Sequence, residues 1–449
     1  MAPDATDPAT TESTAPRTST TDTDPAGSDA PTGTQPRPRR SLVHHADFRR
    51  LWVGDTFGQF GAQLTGLAIP IFAVQTLDAT AWQMGTLNAA ETAAFLVIGL
   101  PAGAWVDRMR KRRTLITADL VRAALLTVVV VTALTGHASM PLLYVAALAM
   151  SAATVFFDVA YQSYLPGLVG PEHLVEGNSK LQATQSVAQV AAPALGGVLL
   201  RVIATPALIL GTVGTYLVSA FAVGRIRMTE ELPPREQRRP LRTEIAEGMR
   251  FVLGHPLLRR IVACTGISNL SNGIGSAVLA IFILRTLGLD EATLGTVMSA
   301  SAIGGLVGAV ASDRLSRLLG EGRIIPLAAL AAVPAYALTP LAAPLAERGI
   351  PAAVTLATGG AVFFFAVVVY NVAQVSFRQR LCPTPLLGRM NASIRFLVWG
   401  PIPLGGLLGG WLGTRLGIAP TLWAAAAGVG LAALPVALSP MWRTRSLAG

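Results

Sequence analysis

The stretch GAWVDRMRKRRTL, Gly103 to Leu115, decides how this chain is read: six charges fall in the seven residues from Asp107 to Arg113, between long apolar runs. Runs of about 20 apolar residues cross roughly 30 Å of hydrocarbon, and two of them flank this stretch at 82–106 and 114–135. The same alternation of apolar run and charged or Pro/Gly-containing break recurs along the chain. It predicts further spans at 49–76, 140–165, 178–202, 205–224, 259–284, 292–314, 323–345, 350–373, 390–413 and 418–440. The expected fold class is an all-α membrane protein of twelve transmembrane helices in two six-helix halves.

Composition agrees. Of 449 residues, 52% are hydrophobic and only 13% charged, against about 25% charged in soluble domains. The formal charge of +10 is carried by short basic clusters between apolar runs, a topology signal rather than a nucleic-acid face. Cys264 and Cys382 are too far apart in sequence to suggest a disulfide framework, and the five histidines have no metal-ligand spacing. No phosphate-binding loop motif is present, so neither a metal nor a cofactor is expected. A membrane-embedded enzyme would need a nucleophile with its base or a metal cluster, and a receptor has no positive signal. Residues 1–40 contain no Leu, Ile, Val, Phe, Trp or Tyr. A tail over 1–44 is expected to be disordered and lacks the apolar core of a cleavable signal.

Lys and Arg in short connections are retained in the cytoplasm. With the N-terminus inside, the inner connections hold the cluster Arg108 to Arg113, then Lys180, the Arg-rich segment 225–260, Arg314, Arg317 and Arg323, then Arg378, Arg380 and Arg389, and finally Arg443 and Arg445. The opposite side holds only Arg201, Arg285, Arg348 and Arg415. Both termini are therefore expected in the cytoplasm, in a plasma (inner) membrane protein. The segment 225–258 is too polar to cross and reads as a linker between halves 45–224 and 259–440, with a short tail at 441–449. Within the linker Leu241, Ile245, Met249 and Val252 recur at helical spacing, predicting an amphipathic helix on the membrane surface.

The halves repeat weakly. Gly103 to Asp107-Arg108 closes the second span, and Ala309 to Asp313-Arg314 closes the eighth; Asn178 precedes Ala192-Pro-Ala-Leu-Gly-Gly197, and Asn391 precedes Gly400-Pro-Ile-Pro-Leu-Gly-Gly406. Parallel repeats of this kind occur in transporters that rock about a midplane site.

On these residues the chain resembles the major facilitator superfamily. That family's loop signature, Gly-x-Leu-Ala-Asp-Arg-x-Gly-Arg-Lys-x-x-Leu, is matched by Gly103, Asp107, Arg108 and Leu115; Lys111 and Arg112 keep the charges, Trp105 and Val106 replace Leu and Ala, and Arg110 replaces the second Gly. With Phe156 to Pro166 and Asn178, the resemblance covers about 45–440 and points to the branch containing macrolide efflux proteins and the enterobactin exporter. It implies the major facilitator fold, export, and a cytoplasmic gate in which Asp107 meets amide hydrogens at a helix N-terminus and basic residues hold helix ends. Gly103, Asp107, Arg108, Lys111 and Arg112 take that role, with Asp313 and Arg314 as their counterparts. Pro193, Gly196 and Gly197 resemble an exporter motif and would bend the fifth span, although Ala192 stands where the motif has Gly. The fourth span also lacks the Arg that many drug–proton antiporters carry.

Ionisable residues inside a membrane are functional candidates by default. Asp119 and Arg122 are three residues apart and share a helical face, a gating pair. Asp55 and Asp158 are candidates for gating and proton coupling. Glu91, midway along the second span with no nearby base on its helix, is the leading proton-coupling candidate. Gln59 and Gln63 follow Asp55 at intervals of four, Gln185 and Gln189 extend a face from Gln182, and Asn269, Asn272, Tyr370, Asn371 and Gln374 interrupt later spans; these should line a substrate cavity. The expected function is proton-coupled export of a small amphipathic compound such as a drug, macrolide, siderophore or secondary metabolite by a monomer, with protons and membrane lipid as its other partners and no nucleic acid. An importer or uniporter of the same fold is the alternative.

Overall fold

A computed structural model describes residues 42–443 apart from 107, 171–172, 229, 231–240, 321 and 383–386. The expected tail, most of the linker's first part and Asp107 therefore lie outside the described residues. The described chain is all helical. In order the helices are α1 (Ala46–Gln75), α2 (Ala81–Val97), α3 (Gly99–Val106), α4 (Lys111–Leu134), α5 (Met140–Val169), α6 (Leu174–Leu199) and α7 (Thr205–Gly224), followed by α8 (Leu241–Gly254), α9 (Pro256–Ile281), α10 (Glu291–Leu319), α11 (Ile324–Glu347), α12 (Ala352–Leu381), α13 (Leu387–Trp399), α14 (Pro401–Leu416) and α15 (Ile418–Ala437). Ten helical segments among them are long and apolar enough to cross a membrane. The protein is a multi-pass membrane protein.

Local chemistry sets the boundaries. Thr80 and Gln83 form a reciprocal capping box at the start of α2, which meets two of its free amide hydrogens. Asp290 accepts from Thr293 N at 2.9 Å to start α10, and the His45 ring accepts from Phe48 N at 3.2 Å to start α1. Two spans expected to be continuous are broken. The second divides at Ile98, just before Gly99 and Pro101, and the eleventh at Gly400, just before Pro401 and Pro403. Proline removes a ladder hydrogen bond and crowds the preceding turn. Pro193, by contrast, lies inside an unbroken α6.

Packing follows one scheme twice. Among the first seven helices α1 packs on α6 and α7, α4 on α5 and α7, and α2 on α5; among the later ones α9 packs on α14 and α15, α11 on α12 and α15, and α10 on α12. The two sets meet where α2 contacts α14 and α6 contacts α10. Both seams are lined with glycine. A Cβ on Gly85 would lie 2.5 Å from Gly406 O, and one on Gly197 would lie 3.0 Å from Ala292 Cα. In lipid such small-residue faces replace the hydrophobic effect as the basis of association, because they let backbones approach. α8 packs against α13 and α9, with Val252 fully buried beside Leu258, Ile394 and Val398.

The α2–α14 seam yields a stability test. A side chain on Gly410 would meet only backbone, at 2.9 Å from Gly85 Cα and 3.0 Å from Ala81 O, so no neighbour can rotate away. Gly410→Val should cost about 1–3 kcal/mol through overpacking. The check is the thermal unfolding midpoint in detergent, and an unchanged midpoint would show that the seam is not close-packed.

Candidate functional site

The end of the bundle that carries the 76–80, 200–204 and 286–290 connections is tied across the two sets of helices. After Ile281 the chain winds one π-helical turn, Phe282–Thr286, which presents Arg285 to the α1–α2 connection. Arg285 donates to Val74 O at 2.5 Å and Ala79 O at 2.9 Å, and pairs with Asp78 at 2.6 Å. Its charge therefore sits at the C-terminal, partly negative end of α1. Arg201 pairs with Asp290 at 2.8 Å, and Gln75 donates to Glu291. The Thr293 hydroxyl, with Thr293 N–H and Arg201, holds the Asp290 carboxyl below the usual carboxylate range despite the opposing effect of partial burial. A lowered value means that this contact is present above the ordinary carboxylate range and is lost only as pH falls through the depressed one.

At the opposite end the basic loop is fixed to neighbouring helix ends. Arg112 donates to Val223 O at 3.3 Å and to Gly224 O, the last carbonyls of α7. The carboxylate of Glu230 accepts from Lys111 N and Arg112 N at 2.6 Å each, capping the start of α4. Arg108 is exposed, and Gly103 lies in α3. Asp313 pairs with Arg317 at 2.7 Å on the exposed surface of α10, where Arg314 is also exposed.

Between the two ends lies a buried charged layer. Asp119 and Arg122, three residues apart on α4, are joined at 3.0 Å with side-chain exposures of 0% and 6%. Ser219 of α7 donates to Asp119 at 2.6 Å. The Arg122 guanidinium lies over the rings of Phe157 and Tyr216, at 4.7 and 5.5 Å from their centroids, which compensates part of its lost hydration. Asp55 is buried, accepts from Gln59 at 3.2 Å, and stands within electrostatic reach of Asp119 and Asp158. One oxygen of Asp55 and the nearby Tyr161 hydroxyl have no hydrogen bond of normal geometry. Asp158 faces Arg122 and also Arg395 of α13, from the other set of helices. Asp119 and Asp158 thus share the Arg122 guanidinium, Asp158 alone also meets a guanidinium across the seam, and Asp55 adds a third carboxylate beside them.

Glu91 stands apart from this layer. It is half-buried and lines a cavity of about 160 Å³ with Thr65, Ser151, Thr154 and Tyr216. Among the described residues it makes no hydrogen bond or ion pair, and no charged neighbour acts on it. The Ser151 hydroxyl in the same cavity is also without a partner.

The expected polar faces separate into two groups. Asn269, Asn272, Tyr370 and Asn371 meet in one cavity of about 100 Å³ with Thr265 and Ser268. Tyr370 shares a 2.9 Å hydrogen bond with Thr265, and Asn269 donates to Val398 O at 2.7 Å. Gln374 is buried between Asn371 and Arg378, 3.4 Å from each. On α6 Gln189 is exposed and Gln185 half-buried, on the side away from the exposed Val187 and Val198. Gln63 of α1 is half-buried, and Gly196 packs on Leu64 and Leu67. Among the described residues no group of three or more His, Cys, Asp or Glu is arranged to hold a metal ion.

Sequence reading missed Arg395, Arg285, Glu230, Tyr161 and Tyr216. Arg395 was findable as a charge inside the 390–413 span. Arg285 was counted only as one of the sparse basic residues on its side, and the aromatic partners carried no signal in isolation.

The Asp119–Arg122 pair gives a direct test. Arg122→Ala leaves a fully buried carboxylate without its cation, a change that costs roughly 3–5 kcal/mol in buried pairs. The measurement is the unfolding midpoint in detergent, and a wild-type value would mean that another group meets Asp119.

Similarity to known proteins follows the same architecture. The chain is 25% identical over 402 residues to the enterobactin exporter EntS of Escherichia coli O1:K1 / APEC, covering 88% of this chain and 92% of that one. The same exporter from Shigella boydii serotype 18 gives the same identity and coverage. Among solved structures, a bacterial homologue of the iron transporter ferroportin in its inward-facing state superposes with a TM-score of 0.68 at 18% identity, over 90% of this chain and 100% of that one. In the outward-facing state the score is 0.56 at 17% identity, over 88% and 99%. The nucleoside transporter NupG gives 0.69 at 12% identity, over 87% and 98%. The sequence profile of the Major Facilitator Superfamily matches residues 51–402, and the chain therefore belongs to that superfamily of small-molecule transporters and is a transporter rather than an enzyme.

Proposed function

We propose that this chain is a proton-coupled exporter of a small amphipathic compound, built as two six-helix bundles over 45–224 and 259–440 with both termini in the cytoplasm of the plasma (inner) membrane. In this reading α2 with α3 and α13 with α14 each form one crossing, α6 supplies another, and the total is twelve. The repeated packing scheme supports the two bundles, and the basic bias of the 107–110 end supports its cytoplasmic placement.

The observation that carries proton coupling is Glu91: an acid within the first bundle, in a largely apolar cavity with a few hydroxyl groups, with no cation on it. Such a carboxyl can gain and lose a proton without first breaking an ion pair. Asp55 and Asp158 extend the path toward the seam, where Arg395 of the second bundle meets Asp158. Protonating Asp158 would release Arg395, so proton occupancy and the fit between bundles become linked.

The conformation is closed on the outer side, where Arg285, Arg201 and Gln75 tie the bundles. The close approaches of α6 to α10, at Gly197–Ala292 and Val190–Ser299, lie toward that side, whereas Gln185 and Gln189 face the space toward the cytoplasm. The higher score against the inward-facing ferroportin homologue agrees with this arrangement. Asn269, Asn272, Tyr370, Asn371 and Gln374 from the second bundle, with Gln59, Gln63, Gln185 and Gln189 from the first, would contact the compound. Gly103, Asp107, Arg108, Lys111, Arg112, Asp119, Arg122, Asp313 and Arg314 would serve the cytoplasmic gate, with Pro193, Gly196 and Gly197 shaping α6. Export, rather than another direction, is supported by the likeness to the enterobactin exporter. The working unit in this proposal is a monomer.

Glu91→Gln removes the titrating group and keeps the shape. In proteoliposomes it should abolish accumulation driven by an imposed pH gradient while leaving compound binding within a few-fold of wild type; full gradient-driven accumulation would reject Glu91 as the coupling site. Arg285→Gln should loosen the outer closure. A cysteine at position 79, in a chain lacking Cys264 and Cys382, should then react several-fold faster with an impermeant maleimide, and equal rates would reject the closure role.

A further inference from the structure

The largest cavity among those described, about 740 Å³, shares no lining residue with the cavities of Glu91 and of Asn269. It lies between α4 and α5 at the 107–110 end. Arg110, Arg113 and Thr117 line it together with the apolar side chains of Val121, Ala149 and Phe156. No acid lines it. Thr117, Leu120, Val121, Val128 and Val131 continue along the exposed face of α4, at the spacing of one helical side, so the groove runs into the surface that faces hydrocarbon.

The four consecutive basic residues of this loop divide their work. The peptide N–H groups of Lys111 and Arg112 are held by Glu230, and the Arg112 side chain is committed to the end of α7. The Arg110 and Arg113 side chains form no hydrogen bond or ion pair among the described residues. Trp105, 45% exposed, stacks on Phe156 with ring centroids 6.1 Å apart, and half-exposed tryptophan belongs at the depth of lipid headgroups. Two guanidiniums without a partner among the described residues, at headgroup depth beside an apolar trough, complement a phosphate joined to an acyl chain. Arginines that merely reach for the membrane edge would account for the charge but not for the trough. Arg110, moreover, occupies the position where the superfamily signature has Gly, so this feature belongs to this chain rather than to the shared loop.

We propose that this groove binds one anionic phospholipid, its phosphate between Arg110 and Arg113 and an acyl chain along Val121, Ala149 and Phe156. The site is independent of the transport reading and requires only that the helices cross a bilayer. Occupancy would bear on α4 directly, because Arg112 and Asp119 lie on the same helix as the lipid contacts.

The test measures lipid retention rather than transport, so its outcome leaves the export proposal untouched. Purified full-length protein is equilibrated with micelles containing equal amounts of dioleoylphosphatidylglycerol and dioleoylphosphatidylcholine, and bound lipid is counted by native mass spectrometry. Wild-type protein should retain one phosphatidylglycerol in preference to phosphatidylcholine. R110Q/R113Q should lower that preference on the order of tenfold or more, as expected for the loss of two basic contacts at an anionic surface; R110K/R113K, with the charge kept, should retain most of it. Ala149→Phe, which fills the trough and keeps both arginines, should also lose the bound lipid. Unchanged preference in R110Q/R113Q overturns the proposal. So does full retention by Ala149→Phe, which would mean a charged surface without a seat, or displacement by millimolar inorganic phosphate, which would mean a free-anion site.

Discussion

Hydrocarbon offers a peptide group no hydrogen bond, so every crossing segment must satisfy its own backbone or bury the exceptions inside protein. The arrangement of this molecule can be followed from that constraint. Its two breaks, at Ile98 and Gly400, are not spread over the lipid surface. They adjoin: a Cβ on Gly400 would touch Leu96, and the Phe95 and Trp399 rings are 5.4 Å apart. Each break is thus shielded by the other span. The same pair of spans carries the glycine seam of Gly85, Gly406 and Gly410, where backbones approach closely.

Charge obeys the same constraint in a harsher form. A guanidinium in a membrane interior is tolerated when it is paired and surrounded by polarisable rings, which describes Arg122 between Asp119, Phe157 and Tyr216. Asp55 and Asp158 are less completely met. An oxygen of Asp55 has no partner, and Asp158 looks toward Arg395 across the seam. The acidic layer therefore belongs partly to both sets of helices, which makes it sensitive to their relative position. Glu91 pairs with none of those charges, although Tyr216, which lines its cavity, also lies against Arg122.

The closed end and the basic end use different chemistry for a common purpose. At one, Arg285 reaches the carbonyls ending α1 from a π-helical turn of the other set, and a single wider turn redirects that side chain. At the other, Arg112 reaches the carbonyls ending α7 within its own set, and Glu230 neutralises the start of α4. Both place a charge on the helix end of opposite polarity. Among the described residues, only the first of these two contacts ties the two sets together.

Periodicity, composition and charge placement were enough to read the sequence as an all-α membrane protein, to position the ten segments long and apolar enough to cross, and to pick out Asp119 and Arg122 as a pair, because lipid selects for apolar runs and helical spacing is local. Residues three apart meet whatever the rest of the chain does. The loop signature pointed to the superfamily for a related reason: its spacing is contiguous. Contacts between segments distant in sequence were invisible. Nothing in the order of residues says that Arg395 faces Asp158, that Arg285 covers the end of α1, or that Glu91 shares a cavity with Ser151 and Tyr216. Those depend on how helices are rotated and stacked, which is decided by glycine seams and proline breaks acting between spans rather than along them. Tertiary structure alone also leaves the Arg110 and Arg113 side chains without a partner among the described residues, beside an apolar trough, while engaging Arg112 between them, a division that four adjacent basic letters cannot express.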